Sequence, residues 1–147
     1  MYDVAVIGCG IVGAAAAYEL SRYNCRVLVL EAKNDVANVT TKANSAILHA
    51  GYDPTPGTLM AETNVRGVAL AKELCEKLDV EREEIGSLVL AFGEEDERHL
   101  EKLYQQGLAN GVPGIELLTA DEVHALEPNV SDKVTAALYA PTAAIVS

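Results

Sequence analysis

A glycine-rich segment near the start of the chain has the residue types and spacing of a phosphate-binding loop. It reads Gly8-Cys9-Gly10-Ile11-Val12-Gly13 and lies between an apolar run, Val4–Ile7, and an alanine-rich stretch, Ala14–Leu20. The first glycine permits a tight turn, the second lets backbone approach a pyrophosphate, and the third lets a helix pack on a strand. The free N–H groups and dipole of that helix would stabilise phosphate charge. The candidate cofactor-binding residues of this loop are Gly8, Gly10, Ile11, Val12 and Gly13.

An acidic residue closes the next apolar run, Val27–Leu30. Glu31 follows Gly8 by 23 residues, close to the ~20 expected of a carboxylate that accepts from a ribose hydroxyl. A carboxylate there repels a 2′-phosphate, which disfavours NADP. Strand, glycine loop, helix and acid together predict a dinucleotide-binding βαβ unit rather than a turn with incidental glycines. The fingerprint does not separate FAD from NAD, because both carry adenosine diphosphate.

The segment from Thr40 to Gly51 combines hydroxyl, amide and imidazole groups around three apolar residues, Ala46–Leu48. Such a mixture suits a loop that lies along a flavin and its ribityl chain. An NAD domain should instead continue with a helix and a third parallel strand. An NAD-dependent dehydrogenase domain and a non-catalytic Rossmann-like module remain the alternatives.

Composition excludes several classes of function. The 147 residues carry 11 Lys and Arg against 22 Asp and Glu, a net charge of −11, which argues against nucleic acid as a partner. No apolar run approaches the ~20 residues of a membrane span, and no secretory signal is readable. Three scattered cysteines form neither a CxxC pair nor an even disulfide set, so we expect no metal site and a cytoplasmic location.

Hydrophobic periodicity and turn signals predict the remaining elements. A long loop over residues 32–57 precedes them, and loops of that length tend to be functional. Thr119 to Glu122 is a capping box that opens a short helix ending before Pro128. The other predicted elements are helices over 58–78 and 94–110, strands over 88–92 and 115–118, and a strand or hairpin over 134–146.

The motifs of this sequence resemble those of the FAD-dependent oxidoreductases of the D-amino-acid-oxidase-like superfamily. Within it, the similarity is to the branch of anaerobic glycerol-3-phosphate dehydrogenase and L-2-hydroxyglutarate oxidase. The resemblance spans the whole chain, although members of the family are much longer. The matching pieces are the glycine loop, Glu31, and the segments 42–52, 56–59, 86–92 and 139–142.

The resemblance implies FAD as cofactor and hydride transfer from glycerol 3-phosphate or a small 2-hydroxy acid to the flavin. It nominates His49 as a base or polariser beside the flavin, against the alternative of a structural loop histidine. It also implies a small-molecule substrate, an unidentified redox partner and possible peripheral membrane association of the full-length enzyme. Further cofactor contacts are expected at Ala32, Thr41, Asn44 and Ser45.

The expected fold class is α/β, with a Rossmann-like FAD-binding βαβ unit, a mixed α+β segment and an incomplete doubly wound sheet. Residues 1–57 would belong to the FAD-binding domain, 58–135 to a helix-rich substrate-side region, and 136–147 to a segment completed by further sequence. Because a doubly wound sheet needs more parallel strands, we expect an N-terminal fragment that is inactive alone. Ala46 and Ala144 replace glycines of many relatives, which would cost stability wherever φ is positive.

Overall fold

In the computed structural model, which describes residues 1–146, the chain divides into two units. The first is Met1–Ser45, and the second begins at Ala46. The first unit contains a parallel strand pair and one helix, whereas the second contains two small antiparallel sheets and three helices.

The first unit is the predicted strand–helix–strand motif. Strand β1 spans Val4–Ile7, helix α1 spans Ile11–Leu20, and strand β2 spans Val27–Leu30. The strands pair in parallel from Val4 opposite Val27 to Ile7 opposite Leu30, with α1 as the crossover. The predicted βαβ unit is therefore confirmed, and the carboxyl ends of both strands point to the same edge.

The two strands of this unit leave much of their apolar surface open. The Ile7 side chain is 87% exposed and that of Leu30 is 50% exposed. Residues 31–45 contain no helix or strand, so the unit holds two strands of the larger sheet that the sequence predicts. This pair matches the expectation of an incomplete doubly wound sheet.

The larger sheet of the second unit provides its core. Strands β5 (Ser87–Ala91), β6 (Glu116–Thr119) and β7 (Ala136–Ala140) pair antiparallel in the order β5-β7-β6. Helices α3 (Glu94–Asn110) and α4 (Ala120–Leu126) pack against it. The largest fully buried side chains are those of Leu100, Val123 and Leu138.

A smaller sheet and a long helix complete the second unit. Strands β3 (Ile47–Leu48), β4 (Arg82–Glu83) and β8 (Ala144–Val146) form an antiparallel sheet in the order β3-β8-β4. Helix α2 spans Leu59–Leu78, and its N-cap Thr58 accepts a hydrogen bond from Ala61 N–H. The predicted strand or hairpin over 134–146 is two strands that join different sheets, so no hairpin forms.

Ala46 departs from the usual backbone conformation. Its φ is +59°, in the left-handed region that a Cβ disfavours, so the expected cost of alanine applies here. Ala144 lies in β8 and is not among the positive-φ residues of the described part of the chain. Within residues 1–146, no helix has the length and apolar character needed to cross a membrane.

Candidate dinucleotide site and the His49 segment

The glycine loop brings α1 against the end of β1. Gly8 adopts a φ of +94°, and its N–H donates to the carbonyl of Leu30 at 2.7 Å. A Cβ added to Gly13 would lie 1.9 Å from the carbonyl oxygen of Gly8 and 3.4 Å from Val6 Cγ1. Only glycine permits this approach of helix and strand, as the dinucleotide fingerprint requires of its third glycine.

The carboxylate of Glu31 is held at the same loop by backbone N–H groups. Oε2 accepts from Cys9 N–H at 2.8 Å, and Oε1 accepts from Lys33 N–H at 2.9 Å. These two bonds lower the pKa of Glu31 below its ordinary 4.5, and the bond from Cys9 has the larger effect. Two carboxylate oxygens offer about four lone-pair sites, so the ionised group retains acceptor capacity for a ribose hydroxyl.

Thr41 contacts the glycine loop at the first residue of α1. The N–H of Ile11, the first residue of α1, donates to Thr41 Oγ1 at 3.0 Å. The helix N-cap, Gly10, has no side chain to perform this role, and a Cβ there would lie 2.9 Å from the same oxygen. The N–H groups of Val12 and Gly13 lie in the first turn, where an α-helix supplies no acceptor.

The remaining predicted residues of this unit lie on the adjoining loop. Asn44 Nδ2 donates to the carbonyl of Thr41, and Ala32, Asn44 and Ser45 are exposed. Cys9 stabilises the loop through its backbone, since its N–H donates to Glu31 Oε2 and its carbonyl accepts from Ala37 N–H at 2.9 Å. No side-chain signal could have disclosed this role.

His49 belongs to the second unit, directly after β3, and its side chain is exposed. It lines an open pocket of about 510 Å³ together with Tyr52, Asp53, Met60 and Asn64. The backbone carbonyl of His49 accepts from Asn64 Nδ2 at 2.8 Å. The imidazole group is a side chain type that accepts and donates protons, and its place at this pocket makes His49 a candidate for contact with a small bound molecule.

The geometry of the first unit fits an adenine dinucleotide. The missing side chain at Gly10 lets Thr41 Oγ1 lie close to the N-terminus of α1. The N–H groups of Val12 and Gly13 have no acceptor within the helix, and together with the helix dipole they favour phosphate. The ionised Glu31 lies at the end of the neighbouring strand, as a ribose acceptor should. Among residues 1–146, no group of three His, Cys, Asp or Glu side chains could hold a metal ion.

Sequence relatives carry the same segment. The chain is 51% identical over 146 residues to a glycerol 3-phosphate dehydrogenase of Caloramator mitchellensis, an alignment covering 99% of this chain and 30% of that protein. It is 34% identical over 149 residues to the mitochondrial L-2-hydroxyglutarate dehydrogenase of Dictyostelium discoideum, covering 99% of this chain and 33% of that one. The chain therefore spans about a third of the length of these relatives.

A solved structure shares the fold. The L-alpha-glycerophosphate oxidase of Mycoplasma pneumoniae with FAD bound superposes with a TM-score of 0.90 at 35% identity, covering 99% of this chain and 38% of that one. The family described as FAD dependent oxidoreductase matches residues 3–147. FAD, rather than NAD, is thus the cofactor of this lineage. By this match the chain belongs to the FAD dependent oxidoreductase family.

Proposed function

We propose that this chain holds the adenosine diphosphate half of FAD and contributes His49 to a longer dehydrogenase that oxidises glycerol 3-phosphate. The cofactor part of the proposal is carried by one observation, the contact of Gly13 with the backbone of Gly8 beside the ionised Glu31. The substrate part is supported by the relative that is 51% identical, a glycerol 3-phosphate dehydrogenase.

Several residues of the first unit would hold the cofactor. The N–H groups of Val12 and Gly13 would donate to the pyrophosphate, and Glu31 would accept from a ribose hydroxyl. Thr41, Asn44 and Ser45 offer hydroxyl and amide groups for the ribityl side, and Ala32 offers backbone beside the ribose. When bound, FAD would supply the acceptor for a hydride from the substrate.

His49 would accept the proton that this reaction releases. Oxidation of a secondary alcohol to a ketone removes a hydride from the carbinol carbon and a proton from the hydroxyl oxygen. An imidazole nitrogen of His49 would take the proton, because histidine can act as a general base near neutral pH. The role is supported by the exposure of His49 and by its place in the lining of the 510 Å³ pocket.

A small 2-hydroxy acid is the second candidate substrate. It is supported by the L-2-hydroxyglutarate dehydrogenase of Dictyostelium discoideum, to which the chain is 34% identical. Both candidates carry a secondary alcohol and an anionic group, which is attached to the carbinol carbon in the hydroxy acid and is one methylene and an ester oxygen away in glycerol 3-phosphate. The same hydride and proton steps therefore apply. The greater sequence identity to the glycerol 3-phosphate dehydrogenase favours glycerol 3-phosphate as the substrate.

The test uses the full-length protein that contains this chain. The purified protein should be yellow, and anaerobic glycerol 3-phosphate should bleach its visible flavin band. Bleaching by L-2-hydroxyglutarate alone would support the second candidate. A colourless protein that cannot be reconstituted with FAD, or a flavin that neither compound bleaches, would overturn the proposal.

The proposed cellular setting rests on the composition of the chain. The three cysteines, Cys9, Cys25 and Cys75, are free, which supports a reducing cytoplasm. The net charge of −11 disfavours nucleic acid as a partner, and the whole enzyme would need a redox partner to reoxidise its flavin. Fractionation of cells that express the full-length protein would test the location, and a membrane-bound pool would contradict a purely cytoplasmic one.

A further inference from the structure

The segment from His49 to Pro54, here called the His49 segment, contains no helix or strand. Its backbone carbonyls therefore need partners outside regular structure. Five of its six carbonyls accept hydrogen bonds from primary amide side chains, which come from Asn64, Gln106 and Asn110. We call these three residues the amide clamp.

One arm of the amide clamp comes from α2. Asn64 is half-buried, and its Nδ2 donates to the carbonyl of His49 itself at 2.8 Å. The bond joins residues 15 positions apart, so it fixes the His49 backbone to a helix and not to its own loop. Since the partner is a carbonyl, the amide must present nitrogen there.

The other two arms come from one face of α3. Asn110 Nδ2 donates to the carbonyls of Gly51 at 2.9 Å and Pro54 at 2.8 Å, which bridges the two ends of a turn. One helical turn earlier, Gln106 Nε2 donates to the carbonyl of Asp53 at 3.1 Å and more weakly to that of Tyr52 at 3.4 Å. A carboxylate at position 106 or 110 would place oxygen acceptors against these carbonyl oxygens, so a side chain with N–H donors, such as an uncharged amide, is required.

Packing holds the same segment between the two helices. Ala50 is 1% exposed and belongs to the core. Gly51 has a φ of +108°, and a Cβ there would lie 2.6 Å from Val65 Cγ2 on α2. A Cβ on Gly107 of α3 would lie 3.1 Å from Tyr52 Cβ. Backbone bonds and close contacts thus act on adjacent residues of one short segment.

We propose that the amide clamp positions His49 for proton transfer, which makes Asn64, Gln106 and Asn110 positioning residues. This inference rests on the proposed function of His49. The imidazole is exposed, so its place in the pocket depends on the position of its backbone, which the bond from Asn64 fixes. A general base must reach its proton within hydrogen-bond distance, and small displacements lower the rate steeply.

The first experiment uses Asn64→Leu in the full-length holoenzyme, because leucine has nearly the shape of asparagine but cannot donate. The rate of anaerobic flavin reduction by saturating glycerol 3-phosphate should fall about tenfold, while flavin content stays at the wild-type level. The matched control is Gln105→Leu, which removes an exposed amide on α3 that donates to Glu101 Oε1. This control should leave the reduction rate unchanged.

A double-mutant cycle with His49→Ala separates positioning from general loss of structure. If Asn64 acts through His49, adding Asn64→Leu to His49→Ala should lower the reduction rate less than twofold further. A full additional tenfold loss would overturn the inference while leaving the proposed function intact. If His49→Ala itself reduces its flavin at the wild-type rate, the role of His49 in the proposed function fails, and the positioning role fails with it.

Amide hydrogen exchange gives a readout independent of turnover. Asn64→Leu should speed exchange at residues 50–53 of the full-length protein by more than tenfold, with Gln105→Leu unchanged. Wild-type exchange at these residues in the Asn64→Leu variant would contradict the inference whatever the substrate of the enzyme proves to be.

Discussion

At the residue scale, the glycine loop depends on the approach of one backbone to another. Gly13 and Gly67 both lie in helices, yet their surroundings differ. A Cβ at Gly13 would lie 1.9 Å from the carbonyl oxygen of Gly8, whereas a Cβ at Gly67 would meet nothing within 4 Å. The same substitution should therefore have opposite effects at the two positions.

Gly13→Ala should lower stability by about 1–3 kcal/mol, because the strand or helix must shift to admit the methyl group. It should also lower the flavin content of the full-length protein several-fold. Gly67→Ala should raise stability by about 0.5–1 kcal/mol by removing backbone freedom from the unfolded chain. Chemical denaturation and the flavin-to-protein absorbance ratio measure both effects. Normal flavin content in Gly13→Ala would contradict the loop assignment.

Glu31 gives this loop a dependence on pH. The N–H groups of Cys9 and Lys33 lower its pKa below 4.5 in the folded chain. A carboxyl group with a lowered folded pKa stabilises the fold above its unfolded pKa, and that contribution is lost as the pH falls through the folded value.

Glu31→Gln should therefore lower the melting temperature at neutral pH. The difference from wild type should shrink as the pH falls below about 4.5, because protonated Glu31 loses the same charge-assisted bonds. Thermal melts over that pH range measure it, with Glu116→Gln on an exposed strand position as the control. A difference that stays constant down to the acid limit would show that the Glu31 carboxylate adds nothing to stability.

At the element scale, the residue that precedes the small sheet of β3, β8 and β4 has a strained backbone. Ala46 has a φ of +59°, and its carbonyl accepts from Val146 N–H at 2.9 Å. Ala144, on β8, is 1% exposed and lies opposite Leu48 in β3. Both are alanines at the same sheet, but only the first has a left-handed backbone.

Ala46→Gly should raise stability by up to about 1 kcal/mol, because glycine removes the left-handed cost of a Cβ. Ala144→Gly should lower stability by about 1 kcal/mol through lost packing and greater unfolded-state freedom. Denaturant titrations of the two variants in parallel provide the measurement. Destabilisation by both substitutions to the same extent would contradict the backbone conformation at Ala46.

Elements with local signals could be predicted from the sequence, and those that depend on distant partners could not. The capping box at Thr119 and Glu122 forms as predicted, since both of its bonds lie within four residues. Strand β4 was missed, because two residues carry no periodicity and it forms only by pairing with β8. The amide clamp was missed for the same reason, since its partners lie 15 to 59 residues apart.

Within the dinucleotide site, the glycine spacing and the acid at the end of β2 were readable, because the fingerprint is local to one βαβ unit. The sequence did not disclose the backbone role of Cys9. The cap that Thr41 gives to Ile11 was hidden too, since it spans 30 residues. For His49 the sequence supplied a candidate, and its part in the chemistry is still a prediction.

At the scale of the whole molecule, the chain spans about a third of the relatives it matches. Its first unit has a sheet of only two strands, with Ile7 and Leu30 exposed at the end that carries the glycine loop. Two-stranded sheets are marginally stable in water. The positioning that speeds hydride transfer needs the flavin ring enclosed and oriented.

We therefore predict that residues 1–147 expressed alone bind FAD weakly and show no dehydrogenase activity. The full-length protein should copurify with the flavin. Titration of the short chain with FAD, followed by flavin fluorescence, measures the difference. Stoichiometric, tight binding together with substrate turnover by the short chain would show that these residues suffice for the whole reaction.

The central claim is tested most directly by the rate at which anaerobic glycerol 3-phosphate reduces the flavin of the full-length protein, compared between wild type and His49→Ala. A general base contributes about 10²–10⁴-fold to such a step. We predict rapid bleaching in wild type, and a rate at least about a hundredfold lower in His49→Ala at equal flavin content. Equal rates in the two proteins, or a wild-type flavin that glycerol 3-phosphate leaves oxidised, would contradict the account.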